Sequence, residues 1–170
     1  MSRRYVKRRT FGKRNKYSVE QTVFTLTLPV VTSTGDNLES QNSIAIVPPT
    51  DVQGKRKAKN FTISFASTNN QVGGSEDRSF YYALVYVPQG YQTGILYNPG
   101  SNNARTLYSA NQYVISAGII DLSAGPQRIF SKLSRNLNSG DNIYLILKNT
   151  SNGGEPFAIS GVITYAITLQ

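Results

Sequence analysis

The chain has no cysteine, no histidine and no carboxylate before Glu20. Without cysteine, no disulfide can hold the fold, which fits an intracellular folding site. Without cysteine or histidine, neither a Cys/His zinc site nor a Ser-His-Asp or Cys-His arrangement can be drawn. A phosphate-cradling GxxxxGK[ST] segment is also missing, so nucleotide hydrolysis has no support. Nine carboxylates remain, and Glu76 and Asp77 are adjacent in a Gly-Ser-rich stretch that reads as a solvated loop. No apolar run approaches the roughly 18 residues of a membrane helix. Nor does an apolar h-region follow the basic amino terminus, so a cleaved secretory signal is not expected. These absences argue against an enzyme and predict no cofactor and no metal site within the chain, while a cation bridging subunits through Asp or Glu pairs stays open.

What is there is unevenly placed. Eight of the 18 Lys and Arg residues lie in the first 16 positions: Arg3, Arg4, Lys7, Arg8, Arg9, Lys13, Arg14 and Lys16. The other ten share the remaining 154 residues with all nine acids, a net of +1. The chain thus pairs a cationic arm with a nearly neutral body. Such a block of like charge repels itself and buries little, so residues 1–16 are expected to stay extended until a polyanion neutralises them. Nucleic acid is the expected polyanion, because each phosphate contact releases condensed counterions. A solubilising or targeting tail is the plainer alternative. Tyr5, Phe11 and Tyr17 are interleaved with the cations. They suit either stacking on unpaired bases or anchoring the arm to the body.

From Tyr17 onward, the 17–170 body reads in period two. Phe24, Leu26, Leu28 and Val30 share one parity, and Phe61, Ile63 and Phe65 another row. Ile159, Ile163, Tyr165, Ile167 and Leu169 continue a third row from Phe157. These are half-buried strands. The runs 80–87 (FYYALVYV) and 143–147 (IYLIL) are apolar on both faces. Such strands are either central in a sandwich or covered on the outside by another subunit. Segments 113–121 and 128–133 bring the count to about seven strands, with 44–47 a short eighth. Gly, Pro and Asn punctuate the segments between them, at 33–36, 72–75, 98–101, 124–126 and 152–154. No convincing helical period appears, beyond at most a short turn near 105–110. The connections 31–43 and 87–112 are too long for a meander, which predicts an all-β sandwich or barrel of Greek-key or jelly-roll topology.

A second basic cluster, Lys55, Arg56, Lys57 and Lys59, precedes the strand at Phe61. Lys55, Lys57 and Lys59 have the parity of Phe61, Ile63 and Phe65, so an unbroken strand would point them into the core. Either they lie beyond the sheet's end or a bulge re-aims them. They are candidates for a second nucleic-acid contact, weighed against a solvated loop.

Particular segments go further than this architecture. PTDVQGKRKAKNFTI (49–63), YYALVYVPQG (81–90), LYSANQYVISAGIID (107–121), GPQRIFSKLSRNLNSGDNIYLIL (125–147) and the ending GVITYAITLQ (161–170) resemble capsid proteins of circular, Rep-encoding single-stranded DNA viruses. The likeness is to the circovirus-like members of that group. The opening MSRRYVKRRTFGKR is similar to their arginine-rich amino termini. The resemblance implies a single eight-stranded antiparallel jelly roll whose copies close a minimal icosahedral shell of about sixty subunits. It also implies an arm that faces a single-stranded DNA genome and doubles as a nuclear localisation signal read by host import receptors. The places implied are the virion and, during assembly, the host nucleus, with no insertion into a membrane. The arm is shorter and the loops more compact than in the larger circovirus capsids.

Two other readings stay open on the residues alone. The coat protein of a small single-stranded RNA satellite virus would share fold, size and arm, since phosphate contacts carry no information about the sugar. A cellular basic-tailed nucleic-acid-binding β protein would more often spread its cations over the body. Here the body is near neutral and its strands are apolar on two faces, which suits protein–protein contact.

Overall fold

The computed structural model describes residues 17–29, 41–51, 53–67, 79–94, 96, 107–108, 113–150 and 157–169. The arm (1–16), the Glu76–Asp77 pair and the turn-rich segments at 33–36, 72–75, 98–101 and 152–154 lie outside these. The described segments are β1 (Ser18–Leu28), β2 (Gln41–Val47), β3 (Arg56–Ser67), β4 (Ser79–Val87), β5 (Val114–Asp121), β6 (Gln127–Ser131), β7 (Arg135–Leu137), β8 (Asn142–Asn149) and β9 (Phe157–Leu169). No α-helix occurs among the described residues, and Tyr108, inside the expected helical turn, instead forms an isolated bridge with Leu96.

Two antiparallel sheets face each other. One runs β1-β9-β3-β6, with β7 also on β3, and the other runs β2-β8-β4-β5. Because β6 and β7 lie along the same strand, β3, and are separated only by residues 132–134, they act as one broken strand. Counted so, there are eight strand positions, and the pairing is nested: first with last, second with seventh, third with sixth, fourth with fifth. That nesting is what results when a long antiparallel ribbon is folded over on itself. Pairing of β3 with β9 and of β4 with β8 then completes the sheets. The architecture is a jelly roll.

The alternation read from the sequence explains the core. Phe24, Leu26 and Leu28 of β1, Phe61, Ile63 and Phe65 of β3, and Ile159, Ile163 and Tyr165 of β9 point inward. They meet Phe80, Tyr82 and Leu84 of β4 and Ile143, Leu145 and Leu147 of β8 from the other sheet. Phe65 joins the layers, its ring edge-on to Phe24 at 6.0 Å and to Phe80 at 5.4 Å. Each such aromatic pair adds about 0.5–1.5 kcal/mol beyond area burial.

The strands apolar on both faces have a more local explanation than a neighbouring subunit. Phe80, Tyr82 and Leu84 face the main core, while Ala83, Val85 and Val87 face outward and are nonetheless buried. Leu96 and Tyr108 from the chain's own 88–112 connection lie over them, with Ile146, to form a second core. Both side-chain ends of Gln41 hold that connection, Nε2 donating to the Gly94 carbonyl and Oε1 accepting from the Leu96 amide. Lys148, fully buried, donates from Nζ to the Leu96 carbonyl at 2.8 Å. The covering element is therefore intramolecular.

Candidate nucleic-acid interface

The second basic cluster meets the sheet through a bulge. Lys59 pairs with Ala166 and Thr62 with Thr164, so β3 spends three steps where β9 spends two. Asn60 absorbs the extra residue with φ 56°, a left-handed conformation that asparagine tolerates better than most side chains. Ala58 and Phe61 both face the core as a result. Lys57 and Lys59 join Thr62 and Ser64 on the outer face. Of the two alternatives for these lysines, the bulge is the one found.

The four residues of the cluster do not act alike. Lys55 is exposed in the connection just before β3. Arg56, on the core-side parity, donates from Nη1 to the Pro48 carbonyl and from Nη2 to the Asp141 carbonyl. Its guanidinium thereby ties the end of the sandwich together. Asp141 itself is buried, and its carboxylate accepts from the Tyr86 hydroxyl, the Gln89 amide and the Asn138 amide. Burial first, then that hydrogen bond and the Asp141 charge, push the Tyr86 phenol up to about 12. Gly140, beside Asp141, has φ 79°, and its amide donates to the Thr50 carbonyl. Arg56 thus belongs to a structural network, whereas Lys55 is exposed and Lys57 and Lys59 stand half-buried on the outer face.

The register carries the outer face across the sheet. Val19 lies opposite Ala166, which lies opposite Lys59. Gln21, Thr164, Thr62 and Phe130 form the next row, and Val23, Val162, Ser64 and Arg128 the one after. Among the described residues this face holds no carboxylate. Of the four described acids, Glu20 is on the opposite parity of β1, Asp51 is in a connection, Asp121 belongs to the other sheet and Asp141 is buried.

Tyr17, the residue at which the arm enters the body, places its ring under Lys59, with Nζ 3.7 Å from the ring centroid. An exposed cation–π contact of this kind contributes about 0.5–1 kcal/mol. The arm's root and the second cluster, 42 positions apart in sequence between Tyr17 and Lys59, are therefore neighbours on one face. Arg3, Arg4, Lys7, Arg8, Arg9, Lys13, Arg14, Lys16, Tyr5 and Phe11 lie outside the described residues.

Two residues on this face, Arg128 and Phe130 on β6, escape a reading by charge clusters, as does the exposed Lys132 just beyond the strand. Their signal is the alternation Arg-x-Phe-x-Lys, cation, ring and cation at every second position. Lys148 escapes too, because a lysine at the end of an apolar strand reads as a solvated strand end.

No family model matches the chain, and no curated protein does. Among solved structures, it is similar to the decameric capsid protein of beak and feather disease virus, at 10% identity and TM-score 0.48, over 92% of this chain and 99% of that one. It is also similar to dimeric latent PorU from Porphyromonas gingivalis, at 10% identity and TM-score 0.39, over 94% of this chain and 14% of that one. With one residue in ten identical and TM-scores this low, neither likeness says what this chain does.

Proposed function

We propose that this chain is a viral capsid protein whose jelly-roll body self-associates into a small closed shell and whose arm packages single-stranded nucleic acid. The observation that carries the reading is the division of charge. Eight cations precede Tyr17, the body is near neutral, and the face on which the arm roots bears lysines without a carboxylate among the described residues. A protein that only bound nucleic acid would more often spread its cations over the body, and one that only assembled would need the basic segment for nothing beyond solubility or targeting. The sequence resemblance adds DNA as the cargo, a shell of about sixty copies and a second role for the arm in nuclear import. On that resemblance we propose the virion and, during assembly, the host nucleus as its locations. Arg3, Arg4, Lys7, Arg8, Arg9, Lys13, Arg14 and Lys16 are the proposed phosphate contacts, joined by Lys55, Lys57 and Lys59.

The test is the mass and content of the purified protein. A megadalton particle holding nucleic acid that DNase but not RNase degrades after disassembly is the expected result. A monomer that stays monomeric at all salt concentrations would overturn the capsid reading, and RNase-sensitive cargo would move it to an RNA virus. Binding of dissociated subunits to an oligonucleotide should weaken with salt at a slope of about −0.7 per phosphate neutralised on single strands, or about −3.5 to −5.6 for five to eight contacts. A flat salt dependence would remove the arm's proposed role.

A further inference from the structure

The arm is not the whole of the cationic surface. Beyond the Tyr17–Lys59 contact, the same face continues across β3 to β6, where Arg128 and Phe130 point outward opposite Ser64 and Thr62. Lys132, exposed one residue past the strand's end, continues the alternation. Phe130 is 56% exposed, although it stands in a sheet whose other face is core. An aromatic ring is costly to leave in water, and it sits between two cations on an edge strand. Alternate residues of a strand are about 6.6 Å apart, and neighbouring strands about 4.8 Å. Phe130 is thus within a nucleotide's reach of Lys59 as well as of Arg128 and Lys132.

We infer that Phe130, flanked by Arg128 and Lys132 and continuous with Lys57, Lys59 and Tyr17, is a base-stacking site for single-stranded nucleic acid on the outer face of this sheet. The inference rests on the packaging reading above and adds a second mode of contact to it. The arm neutralises phosphates wherever they lie, whereas this site holds a base by its π-face between two phosphate contacts. Stacking tolerates any base, so the site adds affinity without sequence preference. Charge complementarity selects this occupant over a second copy of the chain. The face bears cations and no carboxylate among the described residues, so two such faces would repel each other.

The experiment uses dissociated full-length subunits and two fluorescent probes of equal length, an oligo-dT and an abasic deoxyribose-phosphate oligomer. Phe130→Leu keeps an apolar side chain and removes the π-face. It should weaken oligo-dT binding about 5-fold or more and leave the abasic probe unchanged, while Phe130→Trp should retain oligo-dT binding. Arg128→Gln and Lys132→Gln should each reduce the salt slope by about 0.7 for both probes. Circular dichroism and thermal unfolding confirm that each variant is folded. Equal oligo-dT binding by wild type and Phe130→Leu would overturn the inference and leave the arm's role standing, as would equal weakening of both probes. A Phe130→Leu effect on sedimentation of the assembled protein, with binding unchanged, would assign the face to a subunit contact instead. Wild type that binds neither probe would overturn the packaging reading itself, and this site with it.

Discussion

Gly161 shows how one position can fix the packing of a strand. It interrupts the inward row of β9 between Ile159 and Ile163, and the Phe24 ring occupies the space its missing side chain leaves. A methyl group there would drive into both that ring and the Ser64 carbonyl oxygen. Gly161→Ala should therefore cost about 1–3 kcal/mol, the range for overpacking, read as a shift in urea midpoint. Adding Phe24→Leu should restore only part of it, since the carbonyl belongs to the backbone. Asp141 is the second such position. The Tyr86 phenol it accepts from is held at about 12 against an ordinary 10.0, and burial also raises the phenols of Tyr108 and Tyr165. A raised folded value means that the unfolded chain ionises first. Stability from Tyr86 is fully present below pH 10 and should fall as pH rises through about 12. Tyr86→Phe should lower stability at neutral pH by about 1.5–3 kcal/mol, through a lost hydrogen bond to a charged acceptor. The same change should flatten the alkaline decline, as urea unfolding between neutral and alkaline pH would show.

The bulge in β3 is what allows one strand to bury its phenylalanines and yet turn Lys57 and Lys59 to the outer face. Before it, even positions face inward (Ala58); after it, odd ones do (Phe61, Ile63, Phe65). Without the extra residue, either the phenylalanines or the lysines would be on the wrong side, because a one-residue slip exchanges the faces of a strand. Asn60→Gly should be nearly neutral, whereas Asn60→Val should cost about 1–2 kcal/mol for a left-handed β-branched residue. Deleting Asn60 should abolish the folded state, seen as loss of cooperative thermal unfolding. A deletion variant of wild-type stability would mean that the bulge is incidental. The 88–112 connection is the other element with a decisive role, since Leu96 and Tyr108 close the outside of β4 and β8, strands whose second apolar row the sequence left to either a central position or another subunit.

For the molecule as a whole, the separation of arm and body predicts separable functions. Removing residues 1–16 should leave a cooperatively folding β protein that assembles into empty or poorly filled shells. An unfolded truncation would show the arm to be structural. Charge also limits what the arm can do. On the proposed reading, about sixty copies bring about 480 positive charges into the shell at eight per arm. Three nucleotides for each of the 170 residues make about 510 phosphates for the gene of this chain alone. Any genome that also encodes a replication protein exceeds the arms' capacity, and what the proposed face cations Lys55, Lys57, Lys59, Arg128 and Lys132 leave unbalanced falls to magnesium or polyamines. Filled particles should lose DNA or integrity when those cations are stripped, measured by light scattering and nuclease sensitivity. Particles that keep their DNA unchanged would show that the charge count or the particle size is wrong.

Much of this was legible in one dimension. Period-two alternation in segments such as Phe61–Phe65 and Ile159–Leu169 specifies strands, because successive side chains leave a strand on opposite sides. Clustering of like charge in residues 1–16 predicts an arm, because such a block repels itself and buries little, though those residues lie outside the described ones. Three things were decided only in the fold. The direction in which Lys57 and Lys59 point depends on a bulge whose register is set by β9, a partner a hundred residues away. The cover over Ala83, Val85 and Val87 comes from a connection with no periodicity of its own. The face that joins Tyr17, Lys59, Phe130 and Arg128 exists because nested pairing puts β1, β9, β3 and β6 side by side. Local alternation says which side of its own strand a residue occupies, but which strands share that side is a property of long-range pairing, and the sequence carries no local signal for it.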